Sequence, residues 1–476
     1  MQLVQGDGVQ AQPAQARLAR RPQLIGPARH MPPVRAGAHH TALGGDHEAV
    51  PVRVQGLGDQ LLGQVRAVVV GGVDQGDPAL DRGVQQGPGL GAAAARAPEA
   101  GADQTARTQT EPPYGEVAAE PEHVVHHDPT VTQDAGCARL LAMRYIIIGA
   151  GAIGAAIGGR LAGAGSEVVL VARGAHAEAL RADGLRLTTA DGPRVHRLPV
   201  VTGPAELGEL RPDDVLLLAV KTQDAIAALD AWGDAEVAGG GTAAQRLPVL
   251  CAQNGVESER LALRRFARVY GVCVWLPATF LEPGVVSALC APLTGILHLG
   301  PAAGGTPDAR ARRIAADLEE AGFEAPVVED VMRWKYAKLL GNLGNAIQAT
   351  TGPEPDPAKA ALLLRARREG EAVLDAAGIA YASGAEEAAA RDGKVAQPPG
   401  LRGGSSWQSL RRGTGSIEAD YLNGEVCLLG RLHGIPTPVN ETLRHAANIF
   451  ARQGLPPGAM PIADLTALAD EAAARP

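Results

Sequence analysis

The sequence predicts an α/β domain built on a parallel sheet, followed by an all-helical domain, and three observations predict it. From Met143 onward, short apolar runs alternate with a glycine-punctuated helical stretch. A G-x-G-x-x-G loop, formed by Gly149, Gly151 and Gly154, separates the first run from the first helix. After about residue 330 the strand signal fades and helical patterns take over. The expected organisation is therefore an extension over 1–142, a nucleotide-binding domain over 143–329 and a helical domain over 330–476.

The elements follow in order. "YIIIG" is a short apolar strand, "AIGAAIGGRLAGAG" the helix after it, and "EVVLVA" (167–172) the second strand. Further strands fall at "DVLLLAV" (214–220) and "PVLCA" (248–252). Strands that alternate with helices must run parallel, because each crossover returns the chain to the same edge of the sheet. Helical patterns then cover 331–349, 358–377, 416–433 and 438–453, interrupted by a Pro/Gly/Ser-rich break at 397–406.

Residues 1–142 contain no Lys, Ser, Phe or Trp, with one Tyr (Tyr114) and one Ile (Ile25) among repeated Gly, Ala, Gln, Pro and Arg. That composition cannot bury a core, and its acidic, Ser-free character does not fit a targeting peptide. The segment reads as disordered, or as a wrongly assigned gene start with translation beginning at Met143. Its histidines, among them His39, His40, His126 and His127, show no metal-ligand spacing with Cys, so no metal is expected. Across all 476 residues, 46% apolar and 20% charged content is that of a globular protein. No run approaches the roughly 20 apolar residues that span a bilayer, and no charged-then-apolar leader opens the chain, so a cytoplasmic protein without a membrane partner is expected. Five widely spaced cysteines with no C-x-x-C pair disfavour a disulfide framework. A net charge of −8 with no basic run longer than three residues excludes a general affinity for nucleic acid.

In the glycine loop the first glycine permits a tight turn and the second lets a pyrophosphate approach the backbone. The third lets helix and strand pack closely. With Ala152 and Ile153 between the last two, Gly149, Gly151 and Gly154 form the cofactor cradle of a Rossmann-type domain. An NAD site places Asp or Glu at the end of the second strand, but "VVLVARG" carries Arg173 there. A guanidinium grips a 2′-phosphate, so NADPH/NADP is the expected cofactor.

Ligands of open α/β sheets lie beyond the carboxyl ends of the strands, where Lys221 ("LLLAVKTQ") and Asn254 ("VLCAQNG") stand. Lys221 is the first lysine in the chain. In "MRWKYAKLLGNLGNAIQA" (332–349), Lys338, Asn342 and Asn345 recur at i, i+4 and i+7 and share one helix face. Such a stripe either pairs with another helix or lines a cleft, and Lys335 is a competing lysine near the same face.

Taken in order, "GAGAIG", "VKTQ", "QNG", "KLLGN", "SSWQSL" (405–410) and "IEADYLNGEV" (417–426) resemble the ketopantoate reductase family from Met143 to about Ile449. The resemblance implies Lys338 as the catalytic lysine and Glu418 as its acidic partner. It also implies Asn342, Asn345 and Ser406 as substrate contacts, with Lys221, Asn254 and Glu418 near cofactor and substrate. Trp334 stands four residues before Lys338 rather than two, the second asparagine follows the first by three residues rather than four, and the text around Trp407 and 411–416 departs from the family pattern. These changes bear on the substrate.

Hydride addition to a ketone leaves an alkoxide that must be protonated, and a lysine in a cleft supplies that proton. The expectation is thus an NADPH-dependent reductase of a small-molecule 2-oxo acid, ketopantoate first, with another 2-oxo acid as the alternative and a non-catalytic NADP-binding sensor as the rival from a different class. A homodimer is compatible with this reading.

Overall fold

The computed structural model describes residues 143–398 and 403–475, so the expectations for residues 1–142 lie outside the described residues. Fourteen strands are present among them. In chain order they are β1 (Arg144–Ile148), β2 (Glu167–Val171), β3 (Leu185–Thr189), β4 (Gly192–His196), β5 (Val200–Val201), β6 (Asp214–Leu218) and β7 (Pro248–Cys251). Then come β8 (Arg268–Trp275), β9 (Thr279–Glu282), β10 (Val285–Ala288), β11 (Ala291–Pro292), β12 (Gly295–Pro301), β13 (Phe323–Glu324) and β14 (Val395–Ala396).

The main sheet has the order β13-β12-β8-β7-β6-β1-β2-β5. All neighbours are parallel except β8 and β12, which pair antiparallel with His298 opposite Cys273. β1 is buried over its whole length, as a strand covered on both faces must be. Its side chains alternate between two cores. Tyr145 and Ile147 pack with α1 (Ala152–Gly163) on one face, whereas Ile146 and Ile148 pack with α3 (Ala225–Gly233) and α4 (Glu257–Leu263) on the other. Because β1 lies between β2 and β6, the strand order reverses there, and the glycine loop after β1 and Lys221 after β6 open at this switch point.

A second sheet, β4-β3-β10-β9, and the antiparallel β8–β12 pair were not expected from the sequence. The small sheet is half-solvated, and β3 ("LRLTT") and β4 ("GPRVH") mix charged and apolar residues rather than forming an apolar run.

Helices dominate after residue 330. They are α6 (Val331–Asn342), α7 (Gly344–Thr351), α8 (Pro357–Ala376), α9 (Gly384–Arg391), α10 (Ser405–Arg411), α11 (Asn423–His433), α12 (Pro438–Gln453) and α13 (Ile462–Ala473), preceded by α2 (Gly174–Asp183) and α5 (Ala309–Glu320) in the sheet region. Their core gathers Leu339, Leu343, Ile347, Leu362, Val426 and Phe450. Expected helix 358–377 is α8, whose Asp356 cap accepts from Ala358 N at 2.6 Å, and 438–453 is α12 with Pro438 in its first turn.

Two expectations are refined. The single helix 331–349 is interrupted at Leu343, whose carbonyl accepts from the buried Asn423 Nδ2 at 3.2 Å. Leu343 keeps right-handed helical angles (φ −58, ψ −27), so the polar face carries over from α6 to α7. The stretch 416–433 opens instead with a 3₁₀ turn, Ala419–Tyr421, before α11.

The two regions are joined through α4. Arg260 pairs with Glu425 of α11 at 2.7 Å and donates to the Tyr336 hydroxyl of α6 at 2.8 Å. Gly255, at φ +77, abuts the 3₁₀ turn so closely that a Cβ would lie 2.9 Å from the Tyr421 carbonyl, so only glycine fits. No helix among the described residues is long and apolar enough to cross a membrane.

Candidate active site

The glycine loop has the geometry of a dinucleotide cradle. Gly149 has φ +101, and a Cβ there would lie 2.6 Å from Val220 N; a Cβ on Gly154 would lie 2.1 Å from the Gly149 carbonyl. At Gly151, by contrast, nothing stands within 4 Å. The first and third glycines are thus demanded by the protein, and the second keeps an approach open. Gly151 caps α1 without a side-chain hydrogen bond, leaving first-turn N–H groups for an anion. His176 fixes the loop: its Nδ1 accepts from Gly284 N at 3.0 Å, so Nε2 carries the proton and donates to the Ala150 carbonyl at 2.6 Å. Burial lowers the His176 pKa, which keeps this neutral tautomer. These residues fit a nicotinamide dinucleotide.

A cavity of about 460 Å³ runs from this cradle to the helical region. Ala152 and Ile153 of the first turn of α1 line one end, and Lys338, Asn342, Asn345 and Gln348 line the wall made by α6 and α7. The Lys338 ammonium donates to Asn254 Oδ1 at 2.9 Å and to the Val274 carbonyl, and lies 5.5 Å from the centre of the Trp275 ring. An ammonium has three protons, so two are held by neutral acceptors and the third is left for a ligand. Loss of water around the ammonium lowers its pKa to about 8, helped by the nearby Lys335 charge and opposed by Cys273, Glu387 and Glu418. Asn342 adds a buried Nδ2 with no hydrogen-bond partner among the described residues.

Lys221 and Glu418 form a second group beside the cavity. Lys221 donates to Ser409 Oγ, which in turn donates to the Ser405 carbonyl at 2.8 Å, one turn back along α10. Burial lowers the Lys221 pKa. Glu418 is buried, and one carboxylate oxygen accepts from the Thr222 amide (3.1 Å) and hydroxyl (3.0 Å). It makes no hydrogen bond to Lys338.

The structure thus brings Lys338, Asn254, Asn342 and Asn345 to one cavity, with Ala152 and Ile153 of the glycine loop at its other end, and sets Lys221 and Glu418 alongside. Ser406 is buried, and Ser405 is the serine on the cavity wall. Arg173 is exposed at the end of β2, where it caps α2. Lys335 points the other way, into a buried pair with Glu259. Sequence reasoning did not single out His176, Thr222, Gln348, Gln408 or Ser409. Gln348 was within reach of the pattern, three residues after Asn345 on the same face. Gln408, which accepts from Phe280 N and donates to the Ala278 carbonyl to dock α10 on β9, carries no local signal.

A dinucleotide cradle opening onto a lysine–amide cavity defines a nicotinamide-dependent oxidoreductase of small carbonyl compounds. Residues 145–304 match the family model described as "Ketopantoate reductase PanE/ApbA", and residues 330–450 match "Ketopantoate reductase PanE/ApbA C terminal". The 2-dehydropantoate 2-reductase of Mesorhizobium japonicum is 32% identical over 326 residues, covering 62% of this chain and 94% of the relative. The chain belongs to the ketopantoate reductase family, whose substrates are small keto acids. Among solved structures, a PanE/ApbA family ketopantoate reductase from Ralstonia eutropha is 28% identical with a TM-score of 0.55, over 66% of this chain and 99% of that one. A D-mandelate dehydrogenase solved with NADH and anilino(oxo)acetate shares the fold at 21% identity and a TM-score of 0.57, over 66% of this chain and 100% of that one.

Proposed function

We propose that this enzyme reduces 2-dehydropantoate (ketopantoate) to pantoate with NADPH, a step of pantothenate biosynthesis. The observation that carries the reading is the single cavity touching both the first turn of α1 and the Lys338–Asn342–Asn345 face. The nicotinamide, when bound, supplies the hydride for the carbonyl carbon. The chain's own residues do the rest. Asn342 and Asn345 offer neutral donors to the substrate carboxylate, Ser405 adds a hydroxyl, and Lys338 directs its third proton at the carbonyl oxygen. As the C–O π bond breaks, that proton passes to the oxygen, leaving a 2-hydroxy acid and a neutral lysine that solvent reprotonates. A lysine with a pKa near 8 is well matched to giving up a proton at neutral pH.

Glu418 has one oxygen committed to Thr222, and its other oxygen is the acceptor we assign to the C4 hydroxyl of ketopantoate. A group built to accept from a hydroxyl penalises analogues that lack it. Oxidation of NADPH with a panel of 2-oxo acids tests the reading. Ketopantoate should be turned over much more efficiently than 2-oxoisovalerate, which lacks the hydroxymethyl group, and Glu418→Ala should shrink that gap. Equal turnover of the two acids would refute the substrate assignment, and no turnover of any acid would refute the reductase.

A further inference from the structure

The glycine loop spends some of its amides on the protein and leaves others over. Gly149 N and Ala150 N both donate to the Val171 carbonyl, at 3.2 and 3.0 Å, and the helical ladder of α1 begins only with Ala155 N on the Gly151 carbonyl at 2.9 Å. The Gly151 N–H therefore has no acceptor among the described residues, and it stands directly before the open first turn of α1.

The direction of that amide is set by the carbonyl before it. The one cis peptide among the described residues is Ala291–Pro292, so the Ala150–Gly151 peptide is trans, and in a planar trans peptide the C=O and N–H point in opposite directions. His176 Nε2–H holds the Ala150 carbonyl at 2.6 Å, which turns the Gly151 N–H away from the imidazole. The imidazole is itself held. Gly284 N, in the turn between β9 and β10, donates to Nδ1 at 3.0 Å, and the Phe280 ring packs on the imidazole with centroids 4.5 Å apart. Both backbone groups of Phe280 are bound in turn by α10 and its cap: its N–H donates to Gln408 Oε1 at 3.2 Å and its carbonyl accepts from Arg412 Nη1 at 2.7 Å. The imidazole cannot turn without breaking a hydrogen bond at each nitrogen.

We propose that His176 is a positioning residue for the cofactor: through the Ala150–Gly151 peptide it holds the Gly151 N–H ready for the pyrophosphate of the dinucleotide. It acts through the loop and not by contact with the ligand. A donor fixed in advance needs no reorganisation when the anion arrives, whereas a peptide free to flip would present the Ala150 carbonyl, whose partial negative charge repels phosphate. The proposal rests on the dinucleotide reading of the cradle and not on the identity of the keto acid.

Fluorescence titration of NADPH and NADH, with ADP and adenosine as competitors, tests it without turnover. His176→Gln carries an NH₂ group near the place of Nε2 and should bind all four ligands like the wild type. His176→Asn is one methylene shorter and leaves the Ala150 carbonyl without its donor, as does His176→Phe. Both should bind NADPH, NADH and ADP about tenfold more weakly, the size of one hydrogen bond to a charged group, and adenosine, which has no phosphate, as before. If His176→Phe fails to fold, the Gln and Asn variants still decide the matter. Unchanged binding in His176→Asn, an equal loss for adenosine, a loss confined to NADPH, or a His176→Gln variant as weak as His176→Asn would overturn the proposal. Failure of the wild-type protein to bind ADP or either cofactor would overturn the dinucleotide reading and the proposal with it. Reduction of ketopantoate is measured separately, so a wrong substrate assignment leaves this test standing.

Discussion

Lys335 and Lys338 stand one turn apart on α6 and have been given opposite surroundings. The Lys335 ammonium is buried at 3% exposure and spends all three protons inside the protein, on Glu259, the Gln253 carbonyl at 3.0 Å and the Cys251 carbonyl at 3.4 Å. Lys338 meets only two neutral acceptors and opens onto the cavity. A lysine with a carboxylate partner and full hydrogen bonding is a tie between α4 and α6. One with neutral partners, partial burial and a spare proton suits the donor proposed for the reaction. The same contrast separates the glycines of the loop: the protein fills the space at Gly149 and Gly154 and leaves it open at Gly151. Sites for chemistry are recognisable here as places where the protein stops short of satisfying its own groups.

The sharpest way to break the comparison is to remove each lysine. Lys338→Ala should lower kcat roughly 10²–10⁴-fold, the range of a lost general acid, with little change in the urea midpoint. Lys335→Ala should do the converse. It strands the Glu259 carboxylate, whose pKa burial already raises, and should cost about 3–5 kcal/mol of stability while the folded fraction keeps its kcat. Replacing both members of that pair with apolar residues should recover much of the loss. A larger fall in kcat from Lys335→Ala than from Lys338→Ala would reverse the assignment.

The pH profile sharpens it further. The donor must be protonated, and dehydration has lowered its pKa to about 8, so kcat/KM for ketone reduction should be level below that pH and fall tenfold per unit above it. Oxidation of the 2-hydroxy acid needs the neutral lysine and should rise with pH to a plateau above about 8. Lys221 is also shifted down, so the decisive measurement is the residual profile of Lys338→Ala, from which this limb should vanish. A limb that survives there belongs to another group.

How much of this was legible beforehand depends on how local its cause is. β1, α1, β2, β6 and β7 were readable, because an apolar run or a glycine spacing contains its own reason. So was the polar face of Lys338, Asn342 and Asn345, because helical periodicity places those residues together whether or not the ladder breaks at Leu343. The distinction between the two lysines was not readable from α6 itself. It is made by Glu259, 76 residues before Lys335, and by Asn254, 84 residues before Lys338, and only the fold brings either one to α6. The family resemblance favoured Lys338 without giving that physical reason. The small β4-β3-β10-β9 sheet escaped notice because its half-solvated strands lack an apolar run, and the orientation of Gln348 depends on the amide of Gly404, 56 residues away.

The smallest expected effect lies at the far end of the dinucleotide groove. Arg173 follows the same rule as Lys338 and Gly151. It stands exposed at the end of β2, and its guanidinium makes no hydrogen bond or ion pair among the described residues. Because an exposed arginine with no protein partner contributes little to the fold, Arg173→Ala should leave the unfolding midpoint nearly unchanged. If its task is to grip a 2′-phosphate, the variant should bind NADPH about tenfold or more weakly, the size of a charge-assisted hydrogen bond, while NADH affinity stays close to that of the wild type. Fluorescence titration of both reduced cofactors measures the ratio directly. Equal losses for NADPH and NADH would mean that Arg173 does not read the phosphate, and the choice of cofactor would then rest on other residues of the groove.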